Sequence, residues 1–305
     1  HIECPGFSFY GNHLAGFPFA LIGHTQNHAW GLTMFQNDDM DFYQEKIEGE
    51  YYYFKGEKKP LKKRVEQVYV KGIDAPIEFT VYETHHGPIV SGVNDFLPDN
   101  VSMYWTYNDL PNNALSVTYG LSHASNIDEF EDNISTHNAP GLNFMYGDAA
   151  GNIAWWATAA LAKRPSHVDS KRLLDGNSGK DEILGYYDFS ENPHAINPER
   201  GYVYSANNQP SGEYEGELYP GYYYWGARGK RIIEFLEQDK KFNISDMKTM
   251  LLDDVGLYHV RNTKELLGLI KPETEEEKKY HELMLSWDGS HKRDMVEPTF
   301  YYAFQ

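Results

Sequence analysis

The chain has 305 residues, enough for one large or two ordinary domains, and 41% of them are hydrophobic, so a sizeable core can form. Lys and Arg number 27 against 45 Asp and Glu, a net charge of −18 that disfavours nucleic acid and anionic membranes and suits cations such as Ca²⁺ or neutral ligands. The single cysteine, Cys4, excludes an internal disulfide and a cysteine-based zinc site, and no run of about 18 apolar residues is present to span a bilayer.

The first two-thirds of the chain read as strands. Phe17–Gly23 and His28–Met34 are short apolar runs joined by the polar turn Gly23-His24-Thr25-Gln26-Asn27, a hairpin pattern. Val65–Val70 and Ile77–Thr84 alternate with period two across a turn at Lys71–Asp74, and His85-His86-Gly87-Pro88 leads into a further strand. Ser125 is the expected N-cap of a helix with acids in its first turn. Asn143–Asp148 and Asn152–Ala157 predict a hairpin about Ala149-Ala150-Gly151; Gly201–Asn207 predicts a strand with a polar tip. After Gly229 the spacing turns helical in Arg231–Leu236, in Asn243–Leu252 with Asn243 or Ser245 as cap, and from Thr274 to about Leu285. Strands followed by helices predict an α+β architecture. Residues 1–230 would be the β-rich part of one domain and 231–290 its helical segment. Residues 291–305 would open a further, truncated strand-containing region, because Phe300–Gln305 reads as an interrupted strand. A chain that begins at His1 and stops in such a run is expected to be part of a longer precursor.

Three carboxylates in four residues, Asp38, Asp39 and Asp41, repel one another unless hydrogen bonds or a cation offset them. Asp38, Asp41 and a carbonyl between them suit the oxygen-rich coordination of Ca²⁺, with a solvated acidic turn as the plainer alternative. Asn207, beside Asn208 at a strand tip, can aim an amide donor at a developing oxyanion, although Asn before Gln-Pro also favours a simple turn. Arg228, Lys230 and Arg231 form a basic spot for carboxylates or for an anionic substrate group. His13, His24, His28, His85 and His86 offer zinc ligands, but His24 falls in a turn, no HExxH is present, and His86 reads as the cap of a strand end. No Gly-x-Ser-x-Gly elbow occurs, and Cys4, with no base in sight, reads as a buried structural thiol.

The order of these pieces carries more than each alone. Leu21-Ile22-Gly23-His24, Ala29-Trp30-Gly31-Leu32-Thr33 and Asp38-Asp39-Met40-Asp41-Phe42-Tyr43 resemble the early β-chain of the penicillin acylase family. The likeness continues through Thr84-His85-His86-Gly87-Pro88-Ile89-Val90, Tyr146-Gly147-Asp148-Ala149-Ala150-Gly151-Asn152-Ile153, Asn197-Pro198-Glu199-Arg200-Gly201-Tyr202 and Ala206-Asn207-Asn208-Gln209-Pro210. It ends with Gly229-Lys230-Arg231-Ile232 and Ser286-Trp287-Asp288-Gly289.

The resemblance implies a four-layer αββα N-terminal-nucleophile hydrolase sandwich with mostly antiparallel sheets. It also implies an amidohydrolase for acyl side chains of β-lactams or long acyl chains of homoserine lactones. It assigns the oxyanion donors to the backbone N–H of Met34 and the side chain of Asn207, with Arg231 nearby in support. It assigns Ca²⁺ to Asp38, the carbonyl of Met40 and Asp41, with a further acidic ligand near Glu217. The aromatic side chains of Phe17, Phe19, Phe35 and Trp156 could line an acyl pocket, although plain core is the commoner role. The family's nucleophilic Ser-Asn-x-Trp start is not found here, and His1–Gly6 resembles sequence downstream of it. By this reading the chain lacks its nucleophile, an α-chain and the rest of the β-chain, is inactive alone, and comes from a periplasmic or secreted, self-cleaving precursor. The alternative is a non-catalytic binding or scaffold protein on the same fold.

Overall fold

The computed structural model of the chain describes residues 1–93, 96–210, 219–224 and 226–304. They form two compact units, His1–Val203 with Pro210–Tyr223, and Tyr204–Gln209 with Tyr224–Gln305.

In the first unit the apolar runs expected as strands join one antiparallel sheet. Its order is Ile2–Cys4, Phe7–Asn12, Ile22–His24, His28–Met34, Leu142–Asp148, Ile153–Thr158, His194–Ile196. Side chains alternate across it. Ala154 and Trp156 enter a core with Trp30, Phe144 and Tyr146, closed by Val117 and Leu121 of helix Ala114–His123 and Phe130 and Ile134 of helix Ile127–Ile134. Trp155 and Ala157 face the other way, into a second core with Phe35, Leu161, Ala195 and Tyr219. Burial on both faces is why Ile153–Thr158 is a nearly unbroken apolar run. Phe35 and Trp156 are therefore core residues, as the plainer reading has it.

Asn126, not Ser125, caps helix Ile127–Ile134. Its side chain accepts the Glu129 N–H at 2.9 Å, while the Glu129 carboxylate takes the Ser125 N–H at 2.7 Å. The period-two segments pair as Lys62–Val68 against Ile77–Thr84, which then folds back onto Gly87–Pro88. Strand Met40–Gln44 lies between Val101–Trp105, antiparallel, and Leu174–Asp175, parallel.

The second unit consists of helices Ala227–Leu236, Ile244–Leu251, Leu257–Leu267, Glu275–Ser286 and Glu297–Phe304. Asn243 and Thr274 cap two of them with reciprocal capping boxes, as their sequences suggest. The strand expected from Phe300 onward is not one over the described residues: Glu297–Phe304 are helical. Helical spacing buries Tyr301 with Met284 and Trp287 and sets the Phe300 ring 4.9 Å from Tyr280, so tertiary packing overrides aromatic strand propensity. Gly201–Asn207 also forms no strand.

Candidate active site

Met34 ends the strand His28–Met34. Its position is set by Asn143, a 2% exposed carboxamide on the neighbouring strand Leu142–Asp148, opposite Thr33. Asn143 donates to the Met34 carbonyl at 3.1 Å and the Thr33 hydroxyl at 3.2 Å, and accepts from the Trp155 indole at 2.9 Å. Phe35 then donates its N–H to Gly141 O at 3.0 Å. A Cβ on Gly141 would collide with the Asn37 side chain and the Phe35 carbonyl, so the close approach needs glycine. The sequence reading missed Asn143; its signal is a polar residue that opens an apolar strand.

Asn207 belongs to the second unit and has φ of 59°, a left-handed conformation that Asn tolerates better than most residues. Ser205 Oγ accepts its N–H at 3.3 Å, and its carbonyl accepts the Tyr224 N–H at 2.8 Å. Arg228 Nη2 donates to Asn207 Oδ1 at 3.0 Å and to Ala206 O at 2.6 Å. A guanidinium can only donate, so the atom it meets is the amide oxygen, and the NH₂ of Asn207 is directed away from it. Arg231, the expected supporting residue, is held elsewhere, by Asp253 at 2.7 and 2.8 Å and Glu234 at 2.9 Å. Arg228, three positions earlier, is the arginine that touches Asn207.

The acidic loop is buried, not solvated: Asp38 is 1% and Asp41 0% exposed. Arg164, from the irregular segment after Ala162–Lys163, grips Asp41 through Nη2 at 3.0 Å and Nε at 3.2 Å and reaches the Asp38 carbonyl at 3.3 Å. It also donates to the Tyr219 hydroxyl at 2.7 Å. Ser170 donates to Asp38 Oδ2, and Asp38 N–H donates to Pro220 O at 2.9 Å. Burial pushes the Asp41 carboxyl up, with Arg164 opposing it. Burial likewise raises the Tyr219 hydroxyl to about 12, again against Arg164. Trp105 donates to Asp39 at 3.3 Å. Sequence spacing gave no hint that Arg164, 123 residues away, would enter this loop.

Two buried carboxylates against one guanidinium leave a net negative charge. Asp38 Oδ1 is buried without a hydrogen-bond partner. An all-oxygen donor set with one orphaned acceptor fits a hard cation such as Ca²⁺. Glu217 lies outside the described residues.

The histidines weighed as zinc ligands near the N-terminus are otherwise engaged. His28 uses Nε2 on Leu121 O at 2.9 Å and Nδ1 on Thr25 Oγ1 at 3.1 Å, and the rings of His13 and His24 meet backbone carbonyls. Cys4 is exposed, contrary to the buried thiol expected.

The family model for penicillin amidase matches residues 1–305. The chain belongs to the penicillin amidase family. Acyl-homoserine lactone acylase QuiP of Pseudomonas fluorescens is 26% identical to it, covering 99% of this chain and 39% of that protein. Penicillin G acylase of Escherichia coli is 30% identical over 76% of this chain and 28% of its own length. A thermostable penicillin G acylase from Alcaligenes faecalis superposes with a TM-score of 0.80 at 26% identity, covering 96% of this chain and 54% of that one. The chain spans well under half the length of the two curated relatives. Its fold is the α+β, mostly antiparallel architecture of the N-terminal-nucleophile hydrolases, as the sequence implied. Among the described residues no helix is long and apolar enough to cross a membrane.

Proposed function

We propose that this chain is the part of an amide-cleaving acylase that stabilises the oxyanion, through the side-chain NH₂ of Asn207. The observation that carries the reading is the Arg228–Asn207 contact at 3.0 Å, which fixes the orientation of that amide. Arg228 is accordingly a positioning residue. No Ser-Asn-x-Trp segment occurs in residues 1–305. The family resemblance assigns the nucleophile to an N-terminal Ser of a processed chain. Its hydroxyl oxygen would attack the amide carbon while its own α-amine, with a pKa of about 7.7–8.0, takes the proton. Charge then develops on the carbonyl oxygen, where the Asn207 amide acts; collapse of the intermediate breaks the C–N bond, expels the protonated amine and leaves the acyl group on the serine for water to release. The substrate would be a linear amide, either the acyl side chain of a β-lactam or the acyl chain of a homoserine lactone. An α-chain and further β-chain would complete the enzyme; one relative is described as a proenzyme. A periplasmic or secreted setting follows from the same resemblance. The test is to assay this chain and the full-length gene product on both substrate classes. The chain alone is expected to release no amine and the full-length product to release it from one class; an inactive full-length product on both contradicts the proposal.

Ca²⁺ at Asp38, the Met40 carbonyl and Asp41 would offset the charge that Arg164 leaves. Chelation is expected to lower the melting temperature, and Asp38→Ala with Asp41→Ala to remove that sensitivity. An unchanged melting temperature with chelator counts against the ion.

A further inference from the structure

We infer that His85, His86 and Glu182 form a second metal site, for a divalent transition ion of the zinc type, distinct from the acidic centre. Consecutive residues on a strand point to opposite faces. Here the strand Ile77–Thr84 ends just before them, and the chain turns. Thr84 Oγ1 accepts the His86 N–H at 3.1 Å, and Gly87 follows with φ of 123°, where a Cβ would strike the Met103 carbonyl. This turn lets both imidazoles approach one carboxylate. His86 Nε2 lies 2.8 Å from Glu182 Oε1, His85 Nε2 lies 3.7 Å from Glu182 Oε2, and the three ligand atoms are all within 4.8 Å of one another. Bonds of about 2.0–2.2 Å in tetrahedral geometry separate ligand atoms by roughly 3.3–3.6 Å, so a small shift of the partly exposed Glu182 and His85, which opens the short His86–Glu182 edge and closes the longer ones, completes the triangle.

The surroundings are those of a prepared site. His86, 5% exposed, directs Nδ1 at Glu45 Oε1 at 2.7 Å. Glu45 is itself buried and accepts from the hydroxyls of Thr84 at 2.8 Å and Ser102 at 2.6 Å. A carboxylate behind the distal ring nitrogen of a histidine fixes its tautomer and leaves Nε2 for the ion. The rings are also held by stacking, His86 on Tyr43 at 3.8 Å and His85 on Tyr52 at 5.6 Å with Phe54 at 4.1 Å. Glu182 is positioned through its neighbour Asp181, whose carboxylate accepts from His167 at 3.0 Å and from Asp175 N–H at 2.8 Å. Two imidazole nitrogens and one carboxylate are a borderline donor set that favours Zn²⁺, Co²⁺ or Ni²⁺ over Ca²⁺. Three protein ligands leave the fourth position for water, on the side where His85 is exposed.

The experiment is calorimetric titration of the apo chain with Zn²⁺, and with Co²⁺ read by its visible absorption. The expected result is one equivalent bound with a tetrahedral cobalt spectrum. Affinity should fall by about 100-fold or more in both His85→Phe, which keeps an aromatic ring against Tyr52, and Glu182→Gln. It should fall by roughly tenfold in Ser102→Ala. Asp38→Asn should leave it unchanged, separating this site from the acidic centre. Circular dichroism checks that each variant folds. No zinc binding by the parent chain, or full affinity retained in either His85→Phe or Glu182→Gln, overturns the proposal.

Discussion

In the first unit Trp156, Phe130, Phe144 and Leu121 are at most 2% exposed; in the second, Leu251, Leu252 and Leu269 are 82%, 80% and 83% exposed. Charge follows the same division. The first unit buries Asp38 and Asp41 around Arg164, whereas the second keeps Arg231 and Asp253 near the surface, with side chains 28% and 15% exposed. One unit is held by a sheet buried on both faces. The other is held by local devices, such as the Asn243 and Thr274 capping boxes, and by a small cluster of Met284, Trp287 and Tyr301. Local devices contribute about 1 kcal/mol each, whereas buried aromatic side chains contribute several. The first unit is therefore where substitutions should be felt most.

The largest effect is expected from Arg164→Met. It strands two buried carboxylates and should destabilise the first unit by about 3–5 kcal/mol, read by urea unfolding. A loss under about 1 kcal/mol would show that the pair is not the neutralising contact. Asp253→Asn should be milder, about 0.5–1 kcal/mol at pH 7, because its pair is close to solvent. The hydrogen bond from Arg231 holds the Asp253 carboxyl below its ordinary value of 3.8. A depressed carboxyl stabilises the fold above its unfolded pKa, and the contribution fades as pH falls through the lowered value. The difference between parent and variant should therefore begin to shrink near pH 3.8 and vanish only once pH has fallen through the lowered value, and a difference that stays at its neutral-pH size throughout that fall breaks the assignment. Leu251→Ser and Leu252→Ser should change stability by at most about 0.5 kcal/mol. A larger loss would mean that these side chains are covered, and the contrast between the units would narrow.

Much of this contrast is legible in the sequence. His28–Met34 and the Leu142–Thr158 hairpin are apolar runs bounded by turn residues, and Thr274 with Glu277 spells a capping box. Asp38 and Asp41 stand out as a local charge cluster. What sequence does not reveal is long-range: Arg164 meeting Asp41, or Glu182 meeting His86 across 96 residues. Phe300–Phe304 misleads because aromatic residues favour strands in general, while the nearby Tyr280 and Trp287 reward a helix here. Arg228 and Arg231 are indistinguishable by residue type. Only the turn at Asn207 and the position of Asp253 decide which of them reaches the amide.

The account rests most directly on Asn207 as an oxyanion donor, and the decisive measurement is the steady-state kinetics of Asn207→Ala in the full-length gene product. The account predicts a kcat lower by about 10²–10³-fold with KM little changed, as for loss of one oxyanion-hole donor. Wild-type kcat in Asn207→Ala would contradict it.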